Sequence, residues 1–153
     1  PSDYTRSGYD RGHAAPSNNM STPQSRLESF SMANIFPQDP RNNRGLWFKI
    51  EYAVRNMVLN HGDTYIVTGT FYGDENIKQI KGKVLVPDHI FKAIYNPSLN
   101  TAGVYFSKNS DNDDYAILSL REFETITGIN PFPSLSDKLK KTQPKLPSLR
   151  DKK

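Results

Sequence analysis

The chain has 153 residues, of which 35% are hydrophobic and 24% are charged, and its formal net charge is +4. This length and composition predict one globular domain with its own hydrophobic core. Cysteine is absent, which excludes disulfides, thiolate catalysis and cysteine-ligated metal centres. The sequence contains neither an apolar run of transmembrane length nor a signal-peptide pattern at its start, so no membrane partner is expected.

The positive charge is concentrated at the carboxyl end of the chain. Residues 138–153 carry a charge of +6, whereas the other 137 residues carry −2. We expect a single domain over residues 1–141, followed by a flexible, poorly ordered basic tail over residues 142–153. Six of the eight arginines lie within the first 55 residues, where a local cluster is suited to phosphate contacts.

The spacing of apolar residues predicts a mixture of strands and two helices. An extended piece is expected from Tyr4 to Tyr9, a loop from Gly12 to about Thr22, and a strand over residues 30–36. Residues 43–60 give the clearest helical pattern, because their apolar residues recur every three or four positions and a glycine follows. The pattern also predicts a short helix with a capping box at residues 119–128, and strands over residues 64–72, 83–86, 89–95, 102–107 and 115–120.

The segment Asp10-Arg11-Gly12-His13 contains a carboxylate, a guanidinium and an imidazole within four residues. Imidazole accepts a proton near neutral pH, guanidinium matches phosphate oxygens, and glycine lets the backbone turn and a substrate approach closely. Taken alone, His13 would more often be a structural loop histidine, and Asp10 with Arg11 an ordinary ion pair. In combination, they predict that His13 is a general base in a phosphodiester-cleaving site.

A second group of functional residues lies along the predicted helix. Asn43, Glu51 and Arg55, with Trp47 between them, are spaced by multiples of four residues and therefore form one stripe. Each of these residues also has an ordinary structural alternative. Asn43 would be a helix N-cap, Glu51 and Arg55 a solvated ion pair, and Trp47 a core residue. Magnesium prefers oxygen ligands and keeps much of its water, so an amide oxygen and a carboxylate that holds water would suffice, with Arg55 or Arg11 neutralising the developing charge.

The remaining candidate residues are interpreted as structural. His61 follows the helix and His89 lies in a predicted strand. The acidic turn Asp111-Asn112-Asp113-Asp114 lacks the glycine and the terminal glutamate of an EF-hand, so we interpret it as a solvated turn.

The segment Tyr9-Asp10-Arg11-Gly12-His13, with Ala15-Pro16, resembles the signature of the DNA/RNA non-specific endonucleases. That family includes secreted bacterial nucleases and mitochondrial endonuclease G and belongs to the ββα-metal (His-Me finger) fold. The resemblance covers about residues 4–133, through further segments at residues 31–38, 43–55, 67–69, 86–92 and 124–128. It implies an α+β fold in which an antiparallel sheet supports a ββα-metal catalytic unit. Family members carry a substantial segment before the motif, so we expect the N-terminal strands to be lacking here.

The resemblance also implies roles for individual residues. His13 would activate water, Asn43 would bind Mg²⁺ or another divalent cation such as Mn²⁺ directly, and Glu51 would anchor water on that cation. The other expected site residues are Arg55 and Arg11 as catalytic cations, Asp10 and Asn34 as supporting residues, and Arg6 and Arg44 as substrate contacts.

The sequence therefore predicts a metal-dependent endonuclease that hydrolyses DNA and RNA with little base preference, because its contacts go to phosphate. Two alternatives stay open: a nuclease selective for RNA or single strands, and a non-catalytic nucleic-acid-binding domain of the same fold. Besides nucleic acids, a homodimer, an upstream chain segment or an inhibitor protein would be compatible partners. The bacterial nucleases that the chain resembles suggest a secreted or periplasmic location.

Overall fold

The computed structural model describes residues 2–149, and its first strands form a small hairpin-like pair. Strand β1 (Asp10–His13) pairs antiparallel with strand β2 (Ile35–Gln38), which places His13 opposite Ile35. The connection between them contains one α-helix, α1 (Pro23–Glu28), and 3-10 turns at Ser17–Asn19 and Met32–Asn34. A further 3-10 turn, Ser2–Tyr4, precedes β1.

Three sequence predictions in this region are wrong. The loop expected from Gly12 to about Thr22 begins only after His13, because Gly12 and His13 belong to β1. Residues 4–9 form no strand, because the chain turns at Arg6, whose φ is 57°. The strand expected over residues 30–36 begins only at Ile35. Its first half is a helical turn instead, since the Ser31 side chain accepts a hydrogen bond from the Ala33 backbone N–H.

The longest helical segment begins directly after β2. Asp39 caps its first turn by accepting hydrogen bonds from the backbone N–H groups of Arg41 and Asn42. The segment has three consecutive parts, which are α2 (Pro40–Asn42), a π-helical turn (Asn43–Trp47) and α3 (Phe48–His61). The helix predicted over residues 43–60 is therefore confirmed, but it starts earlier and contains a wider turn.

The rest of the chain forms a four-stranded antiparallel sheet, a small hairpin and two short helices. The sheet has the order β3-β6-β7-β8, and β4 pairs with β5. In chain order these elements are β3 (Tyr65–Phe71), β4 (Gln79–Ile80), β5 (Val84–Leu85), β6 (His89–Asn96), β7 (Thr101–Lys108), β8 (Tyr115–Leu118), α4 (Leu120–Thr127) and α5 (Asp137–Lys141). None of the helices within residues 2–149 has the length and apolar character needed to span a bilayer.

The large sheet lies between α3 on one face and α4 on the other. Alternate residues of a strand point to opposite faces: Ile90 and Ile94 of β6 pack in the cluster that contains Ile50 of α3, whereas Phe91 packs with Phe123 of α4. The predicted α+β fold with an antiparallel sheet is confirmed. The expected lack of N-terminal strands stays a prediction.

Residues 142–149 pack against the sheet, which differs from the predicted poorly ordered tail. Leu146 is buried in the α3 core cluster. The Lys145 backbone N–H donates to the Thr101 hydroxyl at 2.8 Å, and the Tyr105 hydroxyl donates to the Pro147 carbonyl at 2.7 Å. Residues 150–153, the rest of the predicted tail, lie outside the described residues.

Candidate active site

His13 ends β1 beside a small cleft of about 80 Å³ that Asn43 and Glu51 also line. Its Nε2 atom is buried and has no hydrogen-bond partner in the described part of the chain. The Phe30 ring packs edge-on against the imidazole, with ring centres 4.8 Å apart. Burial lowers the pKa of His13 below its usual 6.5. The ring is therefore neutral near pH 7 and able to accept a proton.

Gly12 allows β1 to pack closely against β2 beneath His13. A Cβ at this position would lie 2.8 Å from the Gln38 Cβ and 2.9 Å from the Phe36 ring. Strand packing therefore requires glycine here, and the backbone turn that the sequence suggested is absent, because Gly12 lies within β1.

Asn34 fixes the loop that follows His13. The Ala15 backbone N–H donates to the Asn34 side-chain oxygen at 2.9 Å. The Asn34 amide nitrogen donates to the carbonyls of Ala15 and Ser29, at 2.9 and 2.8 Å. These bonds agree with the expected role of Asn34 as a residue that supports the site, and that role stays a prediction.

Asp10 connects β1 to the π-helical turn through Asn43 and Arg44. The Asn43 amide nitrogen donates to Asp10 Oδ2 at 2.9 Å, and the Arg44 guanidinium donates to both Asp10 oxygens at 2.7 and 2.8 Å. Desolvation raises the pKa of Asp10, but the hydrogen bonds from Arg44 and Asn43 outweigh it and hold that pKa below its usual value. Because Asp10 takes the amide nitrogen, the oxygen is the atom that Asn43 can offer to a cation.

The structure excludes the N-cap interpretation of Asn43 and confirms the core interpretation of Trp47. Asp39 caps this helical segment, so Asn43 is not its N-cap. Trp47 is only 1% exposed and belongs to the core, as its structural alternative predicted. π-helical turns are rare and occur often at functional sites, and here one carries Asn43 at its first position.

Glu51 and Arg55 do not pair with each other within ion-pair distance among the described residues. Instead, Arg55 Nε donates to the Asn19 side-chain oxygen at 3.2 Å. Burial raises the pKa of Glu51, and the nearby charges of Lys92 and Arg55 oppose that rise. The interpretation of Glu51 and Arg55 as a solvated pair is therefore wrong.

Lys92 is a buried cation that acts on the charge of Glu51 and that sequence reasoning missed. It is 2% exposed, and its ammonium donates to the Thr68 hydroxyl at 2.5 Å and lies 5.4 Å from the centre of the Trp47 ring. Burial lowers the pKa of Lys92 to about 8. The available signal was its alternation with Ile90 and Ile94 on the buried face of the predicted strand.

A buried amide network also escaped prediction. Gln38 Nε2 donates to Asn42 Oδ1 at 2.8 Å, and Asn42 Nδ2 donates to the Ser107 hydroxyl at 3.2 Å. Asn109 donates to the carbonyls of Pro37 and Pro87 at 3.0 and 2.9 Å. These bonds fix β2 and α2 onto the large sheet, which sets the position of the cleft.

No arginine within residues 2–149 lines the cleft. Arg11 is exposed on β1, with its guanidinium 5.8 Å from the centre of the Tyr4 ring. Arg6 is exposed in the turn before β1. The side chain of Arg44 is 73% exposed although it binds Asp10. The structure thus brings His13, Asn43 and Glu51 together and distributes the cations outside them.

The cleft residues fit a hard divalent cation. Within residues 2–149, no three His, Cys, Asp or Glu side chains are grouped as metal ligands. An ion bound here would therefore depend on the Asn43 amide oxygen, the Glu51 carboxylate and water, and such a set suits Mg²⁺.

Comparison with known proteins identifies similar chains. A family model described as DNA/RNA non-specific endonuclease matches residues 1–138. The chain is 34% identical over 152 residues to a protein named nuclease from Nostoc sp. (strain PCC 7120), which covers 89% of this chain and 55% of that protein. It is 36% identical to human mitochondrial nuclease EXOG and 33% identical to human mitochondrial endonuclease G. Each match extends over 103 residues, which is 60% of this chain, and covers 28% of the EXOG protein and 35% of endonuclease G. The chain thus spans about half, or less, of the length of these relatives.

Proposed function

This chain belongs to the DNA/RNA non-specific endonuclease family, and we propose that it hydrolyses phosphodiester bonds of DNA and RNA with His13 as general base and one divalent cation. The observation that most supports this proposal is that His13, Asn43 and Glu51 line one cleft, beside which the buried Nε2 of His13 has no partner among the described residues. A buried polar atom without a partner is costly. A water molecule that attacks the phosphate would supply the missing hydrogen bond.

His13 takes the proton from that water at Nε2. Its lowered pKa keeps the ring in the accepting form at neutral pH. The Phe30 contact restrains the ring, and Asn34 holds the following loop in place. The base is therefore positioned before substrate arrives.

Asn43 would hold the cation through its amide oxygen, and Glu51 would hold it through water. When bound, the cation, Mg²⁺ or another divalent ion such as Mn²⁺, would neutralise charge at the scissile phosphate and at the leaving oxygen. Asp10 orients the Asn43 amide, and Arg44 balances the Asp10 charge.

Four arginines outside the cleft act on phosphate groups. Arg55 and Arg11 stabilise the negative charge that develops during cleavage. Arg6 and Arg44, both exposed, contact neighbouring phosphates of the substrate. Phosphate contacts carry no sequence information, so cleavage has little base preference.

The location and the protein partners stay predictions. Two of the relatives have names that include mitochondrial, whereas the resemblance to bacterial nucleases suggested a secreted or periplasmic location. A homodimer, an upstream segment and an inhibitor protein likewise stay predictions.

The test is to incubate the protein with supercoiled plasmid and with total RNA, in Mg²⁺ and in excess EDTA, beside a His13→Ala variant. We expect both substrates to be degraded in Mg²⁺ and neither in EDTA. A general base contributes on the order of 10²–10⁴-fold, so His13→Ala is expected to lose activity by that factor while its circular dichroism spectrum is unchanged.

Three results would contradict this proposal in different ways. Cleavage unaffected by His13→Ala would exclude His13 as the base. Cleavage of RNA or single strands only would replace the proposal by a selective nuclease. Binding of nucleic acid without cleavage, in the folded protein, would favour the non-catalytic alternative.

A further inference from the structure

Helix α3 carries a stripe of exposed apolar side chains beside its catalytic residues. Phe48, Tyr52 and Leu59 are 54%, 56% and 75% exposed. At about 100° per residue, these three lie within about 40° of one another around the helix. On the same basis Phe48 lies about 60° from Glu51, with Arg55 between them. Around the helix, Arg55 therefore lies between the stripe and the cleft residue Glu51.

A groove of about 770 Å³ runs between Phe48 and Tyr52 of this stripe and the carboxyl-terminal segment, of which residues 145–147 and 149 line it. The burial of Leu146 and the hydrogen bond from Lys145 to Thr101 hold that segment against the sheet. Lys49 and Lys145 add positive charge, and no Asp or Glu occurs among the described residues that line the groove. The groove is thus aromatic and cationic.

Aromatic rings beside cations are the features that bind single-stranded nucleic acid, because bases stack on the rings while phosphates contact the cations. Phe48 and Tyr52 are separated by about 6 Å along the helix axis, so each ring has room for a base of its own. Contiguous exposed apolar side chains that are rimmed by polar residues indicate an interaction site more often than scattered ones do.

We propose that this groove, defined by Phe48, Tyr52, Lys49 and Lys145, binds single-stranded nucleic acid that extends from the catalytic cleft. A strand cut beside His13 would pass Arg55 and lay its next bases on the two rings. The proposal rests on the proposed function, because the cleft supplies the rest of the strand. A duplex keeps its bases stacked inside and gains less from the groove.

The first test measures affinity without cleavage. A fluorescein-labelled 12-nucleotide oligo-dT is titrated by anisotropy in EDTA, and a duplex of the same length is titrated in parallel. The Phe48→Ala/Tyr52→Ala double variant is expected to bind oligo-dT at least tenfold more weakly, since one stacked base contributes on the order of tenfold. Its affinity for the duplex is expected to change less.

Matched controls separate the rings of the groove from exposed aromatic residues in general. The Tyr65→Ala/Tyr72→Ala variant removes two rings that are 60% and 39% exposed and lie at or beside β3, and it is expected to bind oligo-dT like the wild type. For the cations, Lys49→Gln/Lys145→Gln is expected to reduce the slope of log K against log salt by about 1.4 for a single strand.

Wild-type affinity for oligo-dT in the Phe48→Ala/Tyr52→Ala variant would overturn this proposal. If sedimentation then showed a wild-type dimer that this variant converts to monomer, the face would be an interface between copies. Because EDTA prevents cleavage, failure of the nuclease proposal would show in the plasmid assay, and failure of the groove would show only in the binding assay.

Discussion

The surroundings of His13 and His89 differ in the features that separate a candidate catalytic histidine from a structural one. Burial lowers the pKa of both rings. Each ring also has one buried nitrogen without a partner among the described residues. His89, however, stacks on Phe106 with ring centres 4.6 Å apart and planes 8° from parallel, whereas His13 borders the cleft lined by Asn43 and Glu51.

Desolvation and an unpartnered nitrogen are therefore insufficient to identify a base. A base also needs space for the molecule that it deprotonates and groups that stabilise the product. Phe106 takes up one face of His89, while the neighbours of His13 are oxygen donors suited to a cation. The predictions below test this difference, from the largest expected effect to the smallest.

Alanine substitution of the two histidines is expected to give opposite results. His13→Ala should lower plasmid cleavage by on the order of 10²–10⁴-fold. His89→Ala should leave cleavage largely unchanged and lower the free energy of unfolding by about 0.5–1.5 kcal/mol, through the lost ring stacking. Cleavage rates and thermal unfolding of both variants check this. A large loss of cleavage in folded His89→Ala would show that His13 and His89 do not differ as a catalytic and a structural histidine.

The aspartates near the two histidines are expected to differ in the same sense. Asp10→Asn removes the charge that orients Asn43 and pairs with Arg44, and groups that support a metal ligand contribute about 10–100-fold. We expect a loss of that size in kcat/KM, together with weaker apparent Mg²⁺ affinity.

Asp88→Asn is the matched control for this effect. Asp88 accepts hydrogen bonds from the backbone N–H groups of Gly73 and Asp74, at 2.6 and 2.9 Å, beside His89. Its substitution is expected to leave kcat/KM near the wild-type value. Equal losses in the two variants would show that Asp10 has no particular role at the site.

The smallest effect concerns stability and pH. Burial lowers the pKa of His89 below 6.5, although the charges of Asp88 and Asp74 oppose this and Lys108 adds to it. The unfolded state then binds more protons than the folded state as pH falls below about 6.5, so stability decreases in that range. Urea unfolding at pH 7.5 and 5.5 should show a smaller decrease for His89→Gln than for the wild type. An identical decrease would argue against the desolvation of His89.

Much of the fold could be predicted because local periodicity and capping signals agree with the tertiary structure. The capping box at Ser119 and Glu122 and the left-handed Gly128, with φ of 75°, begin and end α4 as expected. Helix α1 escaped prediction because Ser25, and not an acidic residue, completes its capping box with Thr22. No core-facing apolar stripe marks α1 either, since none of its residues is buried.

The sequence by itself determined the chemical groups of the site and their spacing along the chain. His13 follows Asp10 by three residues, and Asn43, Glu51 and Arg55 are separated by multiples of four residues. The type of residue and the local period are sufficient for such a prediction. They do not identify which side chains meet.

Only the tertiary structure decided those pairings. Asp10 pairs with Arg44 and not with Arg11, because neighbouring residues of a strand point to opposite faces. The long side chain of Lys92 is buried because β6 lies beneath α3. The segment of residues 142–149 contributes to the groove wall because Leu146 is buried in the core cluster of α3. In each case the partner is distant in sequence, and only the packing of sheet and helix brings it within reach.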